Sequence, residues 1–317
     1  MRRLILTESD VLAFSHNQRG ALFMVVSMAG FTTNDALIKI VTESLNVGQV
    51  MFVRGLFATA LIILIAWHRG ALKMPRLALH PLVWLRAVGE VGGTVAFIAA
   101  LQQLPIANVS AVLQAVPLAV AMGAALFLGE GVGWRRWLAI IAGFVGVLIV
   151  VRPGLEGFNA YSVLALVCVM FSAFRDLITR KLPTAIPSLL VSTTTSIAVT
   201  LSGAVLIAPL GGWQPVSGGN LLLLASAAML ILVGYQFIVL STREGEMSYI
   251  APFRYTSLLW SILLGYWIFS DVPDTAMVIG ASIIVASGLY TLYREQIAGK
   301  AMSATQSTTP GMAPDGL

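Results

Sequence analysis

Seven charged side chains lie inside long apolar runs of this sequence, where a charge needs either a partner or water. They are Asp35, Arg54, Arg86, Glu90, Arg175, Asp176 and Arg254. A charge near the centre of a bilayer costs about 2.5–3.5 kcal/mol on insertion scales. These residues therefore indicate either buried structural ion pairs or a polar pathway through an apolar protein.

Arg86 and Glu90 are four residues apart in the third apolar run. On a helix this spacing puts both side chains on one face, where they can pair. Two interpretations stay open. In the first, Glu90 couples transport to a proton or contacts the substrate, and Arg86 tunes its protonation. In the second, the two residues form a buried ion pair that fixes helix packing.

The remaining charges suggest two gates. Asp35 and Arg54 are expected at similar depth on adjacent spans, near the outer face, where they could form an outer gate. Asp176 with Arg175 or Arg254 could form an inner gate, because ion pairs that form in one state and break in the other make a switch. The alternative is that these side chains reach the membrane interface from near the ends of their spans.

The fourth and ninth apolar runs carry a second set of candidate residues. Ser110, Gln114 and Pro117 follow helical spacing and form a polar stripe on an apolar helix. Arg254 and Tyr255 lie at corresponding places in the ninth run. Proline interrupts helical hydrogen bonding, which is tolerated at membrane depth only beside protein or water. We expect a substrate path here, although proline also merely kinks many transmembrane helices.

Two tyrosines, Tyr235 and Tyr255, are candidate binding residues because of their positions in the internal repeat described below. Either ring could stack on a flat aromatic substrate. The alternative is an interfacial or lipid-facing position. With the residues above, they predict a central site between the third, fourth, eighth and ninth spans.

The composition requires a membrane around these residues. The chain has 317 residues, of which 58% are hydrophobic and 10% charged, and its mean hydropathy is +0.89. A soluble domain carries about 25% charged residues. This composition excludes a soluble enzyme and a disordered protein, and the single Cys168 excludes a disulfide scaffold and a cysteine-based metal site. We expect no bound metal, no cofactor and no nucleic-acid partner.

Apolar runs of about 20 residues can cross the bilayer as helices. The sequence predicts ten of them, at 18–40, 47–67, 81–103, 106–128, 134–151, 160–181, 188–209, 219–240, 248–269 and 273–293. Residues 1–17 are predicted to be a cytoplasmic segment without a signal peptide. Residues 295–317 are predicted to be a disordered cytoplasmic tail.

The basic residues between the runs predict the orientation. With the N-terminus in the cytoplasm, thirteen lysines and arginines fall on the cytoplasmic side and two, Lys39 and Arg152, on the outer side. Both termini are therefore predicted to be cytoplasmic.

The two halves of the chain resemble each other at a constant offset of 141 residues. FTTNDALIK (31–39) matches SAFRDLITR (172–180), and FLGE (127–130) matches IFSD (268–271). Gly93 also matches Gly234. Each half holds five spans, an odd number, so the halves enter the membrane from opposite sides. The predicted fold is an all-α polytopic membrane protein with two inverted repeats, 18–154 and 158–294, an architecture that serves alternating access.

The repeat motifs resemble the drug/metabolite transporter superfamily, EamA type. Residues 100–154 and 244–290 share its features: a small-residue start of the fourth helix, a proline within it, a terminal Gly-Glu and a glycine-rich fifth helix. The second half departs from the pattern, with Ser270 and Asp271 in place of Gly-Glu. The resemblance implies ten helices and ATP-independent transport of a small metabolite across the bacterial inner membrane.

Within that superfamily, NDALIK (34–39), Arg54 and FRDLITRKLPTAIPS (174–188) are similar to a branch of riboflavin importers and S-adenosylmethionine carriers. The resemblance implies riboflavin uptake as the first candidate function. The alternatives are transport of S-adenosylmethionine, an amino acid or a drug, in either direction, and an intramembrane enzyme, for which the sequence offers no catalytic set. The expected partners are a small-molecule substrate and the lipid bilayer, with a homodimer retained as one alternative.

Overall fold

The structure, a computed structural model, describes residues 15–73, 75–153 and 159–297. Within these ranges every regular element is helical. The elements are α1 His16–Val41, α2 Val47–His68, α3 Pro81–Gln103, α4 Ile106–Leu113, α5 Val116–Phe127, α6 Trp134–Val151, α7 Ala160–Arg180, α8 Ser188–Ile207, α9 Gly218–Glu244, α10 Met247–Ile250, α11 Thr256–Phe269 and α12 Thr275–Ile297, with 3-10 turns at Ala71–Lys73, Pro75–Leu79 and Ala251–Tyr255. Most of the predicted N-terminal segment, and the predicted tail beyond residue 297, lie outside the described residues.

Among the described residues, nine helices are long and apolar enough to cross a membrane when α4 and α5 are counted as one, Ile106–Phe127. Large apolar side chains face outward as well as inward: Leu64, Val205 and Trp267 are 58–74% exposed. A helix that is apolar all round suits a lipid environment. The predicted all-α membrane fold is therefore confirmed.

Polar N-caps begin several of the long helices. The hydroxyl of Ser15 accepts a hydrogen bond from the Gln18 amide, and the Gln18 side chain accepts one from the Ser15 amide, which is a capping box. Asn46, Asn159 and Ser217 cap α2, α7 and α9 through their side-chain oxygens. Such caps satisfy amides that a helix leaves without an intrahelical partner.

The predicted fourth and ninth spans are interrupted helices. The fourth span divides into α4 and α5 around Gln114 and Ala115, just before Pro117. The ninth span runs through α10, a 3-10 turn at Ala251–Tyr255 that contains Pro252, and α11. Proline lacks an amide hydrogen and clashes with the preceding turn, which accounts for both breaks. Because of this break, neither α10 nor α11 alone is long enough to cross a membrane, so the ninth span is not among the nine helices counted above.

The helices pack in pairs that obey the predicted repeat. α1 packs on α9 and α3 on α7, while α2 packs on α8, α6 on α12 and α4 on α11. Exchanging each helix for its counterpart in the other half converts the α1–α9 pair into the α7–α3 pair and leaves the α2–α8 and α6–α12 pairs unchanged. The two five-helix repeats are thus related by an approximate two-fold axis.

Glycines bring the self-paired helices close together. An added methyl group on Gly48 would lie 2.7 Å from the backbone nitrogen of Ile207, and one on Gly203 would lie 2.6 Å from that of Phe52. Between α6 and α12, a methyl group on Gly146 or Gly280 would lie 2.8 or 2.6 Å from the carbonyl oxygen of the other glycine. Small residues at such crossings are typical of membrane helix pairs.

Candidate functional site

A cavity opens between the two repeats, among α2, α3, α8 and α9. Its empty volume is about 600 Å³, which includes open solvent at its mouth. The lining residues are Arg54, Gly55, Ala58, Ile62, Glu90, Thr94, Ser192, Thr195, Ser196, Val199, Ile231, Leu232 and Tyr235. The sequence predicted a site between spans three, four, eight and nine. The cavity shares the third and eighth spans with that prediction but uses the second and seventh in place of the fourth and ninth.

Glu90 is the central carboxylate of a buried ion network. Its Oε2 atom lies 3.2 Å from an Arg175 nitrogen and 3.5 Å from an Arg86 nitrogen. Arg175 also contacts the carboxylate of Asp176 at 2.8 Å. Four residues proposed from the sequence, taken from both repeats, thus meet at one place. The network joins α3 of the first repeat to α7 of the second.

Two hydroxyl groups accept further hydrogen bonds from the guanidinium group of Arg86, which is fully buried. Its Nη1 donates to the Thr195 hydroxyl at 2.6 Å, and its Nε donates to the Thr179 hydroxyl at 3.1 Å. Thr195 lies on α8 and also lines the cavity. The network therefore connects the wall of the cavity to α7 and α8.

Arg54 lines the same cavity from α2 and is 7% exposed. It interacts electrostatically with Asp35 and Glu90. Its Nε is buried and has no hydrogen-bond acceptor among the described residues. The Asp35 carboxylate accepts a hydrogen bond from the Asn34 side chain at 2.9 Å. Asp35 and Arg54 are thus near each other, and their assignment to an outer gate stays a prediction.

Tyr235 and Thr94 add an aromatic and a hydroxyl surface to the cavity. The Tyr235 ring packs edge-to-face on Phe31, with 5.3 Å between the ring centroids. Thr94 is 2% exposed, and its hydroxyl oxygen is buried without a partner among the described residues. The cavity therefore offers a guanidinium, a carboxylate, hydroxyl groups and one aromatic ring to an occupant.

The residues proposed on the fourth and ninth spans lie elsewhere. Gln114, at the break between α4 and α5, donates to the Ser257 hydroxyl at 2.9 Å and so joins these spans. Ser110 and Pro117 are half-buried on the same two segments. The Tyr255 hydroxyl is buried against Gly288 of α12, and Arg254 interacts with it electrostatically. The lining of the cavity includes none of these five residues.

The hydroxyl groups of α8 were missed in the sequence analysis. Ser192, Thr195 and Ser196 line the cavity, and Thr195 binds Arg86. A signal was present, since SLLVSTTTS (188–196) is unusually rich in hydroxyl residues for a span. In a membrane such residues mark polar contacts between helices.

Two charged pairs related by the repeat differ in their contacts. Glu130 and Asp271 are counterparts, and their amides donate to the counterpart carbonyls of Ala124 and Gly265 at 3.2 and 3.0 Å. Arg180 contacts the Glu130 carboxylate at 3.3 Å.

Lys39, the counterpart of Arg180, binds differently. It interacts electrostatically with Asp271, but its ammonium group donates to the carbonyls of Leu101 at 2.9 Å and Leu104 at 2.6 Å. The Oδ2 atom of Asp271 is buried without a hydrogen-bond partner among the described residues. Both pairs join one repeat to the other, but only the Arg180–Glu130 pair is a direct contact.

These features define a multi-pass membrane protein with a cavity between two repeats, lined by both polar and apolar side chains. Residues 18–152 match the EamA-like transporter family. Together with the relatives below, this match confirms the resemblance to the drug/metabolite transporter superfamily, EamA type, that the sequence predicted.

Three curated relatives illustrate the range of the similarity. The chain is 27% identical to an S-adenosylmethionine uptake transporter of Rickettsia felis, covering 90% of this chain and 95% of the relative. It is 29% identical to a riboflavin transporter of Rhizobium johnstonii, covering 66% and 69%. It is 25% identical to the pseudopaline exporter CntI of Pseudomonas aeruginosa strain UCBPP-PA14, covering 84% and 94%. These names support a membrane metabolite transporter rather than an enzyme, and they differ in substrate and direction.

Proposed function

We propose that the protein is a secondary transporter of the bacterial inner membrane that moves a small metabolite by alternating access. The observation that carries this proposal is the cavity between the repeats, which α2 and α3 line from one half and α8 and α9 from the other. A polar site at the interface of inverted repeats becomes open to either side when one repeat rocks against the other.

The two unequal charged pairs support this mechanism. Inverted repeats alternate when each half adopts the conformation of the other. Arg180–Glu130 is a direct ion pair here, whereas Lys39 binds backbone carbonyls beside Asp271. In the opposite state Lys39 moves onto Asp271, and Arg180 leaves Glu130. This exchange assigns Lys39, Glu130, Arg180 and Asp271 to the gates, in addition to the residues proposed from the sequence.

S-adenosylmethionine is the substrate that the cavity chemistry favours. It is a zwitterionic amino acid with a further sulfonium charge, so it could use both Arg54 and Glu90. Uptake is the direction proposed, and Glu90 is the candidate residue for proton coupling.

Riboflavin remains the second candidate, as the sequence resemblance implied. The hydroxyls of Thr94, Ser192 and Ser196 could bind its ribityl chain, and Tyr235 could pack against its ring system. The similarity to a riboflavin transporter supports this candidate.

Uptake into cells tests the proposal. Cells that express the protein, and cells with empty vector, receive labelled S-adenosylmethionine or labelled riboflavin, with an excess of the unlabelled compound as competitor. Saturable uptake of one label, blocked by its own unlabelled form, is the expected result. Uptake equal to that of vector cells for both labels, with the protein present in the membrane, would contradict uptake of these substrates.

A further inference from the structure

We infer that Arg54 and Thr94 form a carboxylate-binding subsite in the cavity, so that the transported molecule is a carboxylate-bearing metabolite. This inference rests on the proposed function and narrows it to one class of substrate. It follows from how unequally the three buried arginines near the cavity are bound.

Arg86 and Arg175 have protein partners on several sides. Arg86 binds Glu90 and two threonine hydroxyls, and Arg175 binds Glu90 and Asp176. Arg54 is similarly buried, at 7% exposed, but its Nε has no acceptor among the described residues. A buried donor without an acceptor is costly, and in native proteins it calls for a ligand or another explanation.

A second unsatisfied polar atom lies in the same cavity. The Thr94 hydroxyl, on α3, is buried without a partner among the described residues, and Thr94 and Arg54 both line the cavity. Two residues on different helices that line one cavity thus each carry an unsatisfied polar atom. Both can donate a hydrogen bond, so the group that satisfies them is an acceptor.

Neither nearby carboxylate accepts a hydrogen bond from the Arg54 Nε atom. Asp35 accepts from Asn34, and Glu90 contacts Arg86 and Arg175. The acceptor for Arg54 therefore comes from the occupant of the cavity. A guanidinium group pairs best with a planar anion through two parallel hydrogen bonds, which a carboxylate provides. Because Asp35 and Glu90 add negative charge nearby, a singly charged carboxylate fits better than a doubly charged phosphate.

The test measures binding to the full-length protein in lipid nanodiscs. Labelled S-adenosylmethionine is the probe, and its decarboxylated analogue, which lacks only the carboxylate, is the competitor. The variants are Arg54→Gln, Arg54→Lys and Thr94→Val. Arg152→Gln is a matched control, because the Arg152 Nε is also buried without an acceptor but Arg152 lines a different cavity, with Asn108, Ser162 and Asp274.

The expected result is at least ten-fold weaker binding of the decarboxylated analogue to the wild type and to Arg152→Gln. Arg54→Gln should weaken binding of S-adenosylmethionine at least ten-fold and leave binding of the analogue unchanged, while Arg54→Lys should retain part of the preference. Equal affinity of the wild type for both compounds, or equal weakening of both by Arg54→Gln, would overturn the subsite.

Uptake of riboflavin shows whether the subsite alone is wrong or whether the proposed function is wrong as well. Riboflavin has no carboxylate, so saturable riboflavin uptake that is unchanged in Arg54→Gln would overturn the subsite and leave the transporter function standing. If the wild type, present in the membrane, takes up neither compound, the proposed uptake of these two substrates fails, which is a different outcome from loss of the subsite alone.

Discussion

The hydroxyl oxygens of Thr59 and Thr200 lie 3.0 Å apart, and the two residues are separated by 141 positions in the chain. That separation is the offset of the internal repeat, so each threonine is the counterpart of the other. A residue in contact with its own counterpart lies on the axis that relates the repeats. The Thr59 hydroxyl also lies 2.7 Å from that of Ser196, which lines the cavity. The cavity is therefore next to the axis.

A contact on the axis should persist in both states of the transporter. Exchanging the conformations of the two halves converts the Thr59–Thr200 contact into itself, whereas the Arg180–Glu130 pair is replaced by Lys39–Asp271. We predict that a short thiol cross-link between Thr59→Cys and Thr200→Cys leaves most of the transport rate, and that one between Glu130→Cys and Arg180→Cys abolishes it. The native Cys168 is buried and should not compete.

The measurement is substrate uptake before and after cross-linking, with reducible reagents. Restoration of transport by reduction in the Glu130→Cys/Arg180→Cys protein shows that the link, rather than the substitutions, is inhibitory. Full transport with that link intact would contradict its assignment to a gate.

Replacing Glu90 should remove the pH dependence of transport. Glu90 is the carboxylate that lines the cavity, and a glutamine at this position cannot exchange a proton. We predict that Glu90→Gln reaches the membrane and transports at a rate that no longer changes between about pH 5 and pH 8. Asp274→Asn, which changes a carboxylate outside this cavity, is the control. A wild-type pH profile in Glu90→Gln would refute the coupling role.

Helices α2 and α8 pack so closely at Gly48 that a larger side chain at this position should destabilise the protein. A methyl group there would lie 2.7 Å from backbone atoms of α8, and overpacking of this kind typically costs about 1–3 kcal/mol. We predict a lower thermal midpoint for Gly48→Ala in detergent. Gly218→Ala, in the first turn of α9, is the matched control, because nothing lies within 4 Å of the added methyl group. Equal midpoints for the two variants would argue against this helix contact.

Asp274, in the loop before α12, should stabilise the protein in a pH-dependent way. Its carboxylate accepts a hydrogen bond from the Met277 amide at 2.8 Å. That bond and the Arg152 guanidinium lower the pKa of Asp274. Because the folded-state pKa is lowered, this stabilisation is complete at neutral pH and decreases as the pH falls below about 4.

Asp274 caps the start of α12, and two variants separate this capping hydrogen bond from the effect of the negative charge. Asp274→Ala should lose about 1 kcal/mol at pH 7. Asp274→Asn should keep much of the cap, because an amide oxygen also accepts from the helix amides, but should lose the part that varies with pH. Thermal unfolding at pH 7 and at about pH 3 measures both effects. No loss of stability in Asp274→Ala at pH 7 would contradict the capping role.

The sequence predicts most of this fold because its two strongest signals are local and periodic. Run length sets the spans, and the constant offset between FTTNDALIK (31–39) and SAFRDLITR (172–180) relates the halves. Proline chemistry also predicts where the fourth and ninth spans are interrupted. The i,i+4 spacing of Arg86 and Glu90 correctly indicates their contact.

Contacts between distant helices could not be predicted in the same way. Nothing local indicates that Arg175 reaches Glu90, or that α8 supplies Thr195 to Arg86, because both contacts depend on which helix faces which across the bundle. The same limit explains why the cavity uses the second and seventh spans. The repeat offset shows which residues are counterparts, but it does not show which helices touch. The contacts across the bundle follow from it only once the pairing of α1 with α9 and of α3 with α7 is known.

Counterflow into proteoliposomes tests the central claim most directly. Vesicles that contain the purified full-length protein are preloaded with unlabelled S-adenosylmethionine or riboflavin and then exposed to a trace of the same labelled compound. A carrier that alternates between two states should accumulate label transiently above its equilibrium level, and only in vesicles preloaded with its substrate. Entry of label equal to that in protein-free vesicles for both compounds, or entry that preloading does not stimulate, would contradict alternating-access transport of these metabolites.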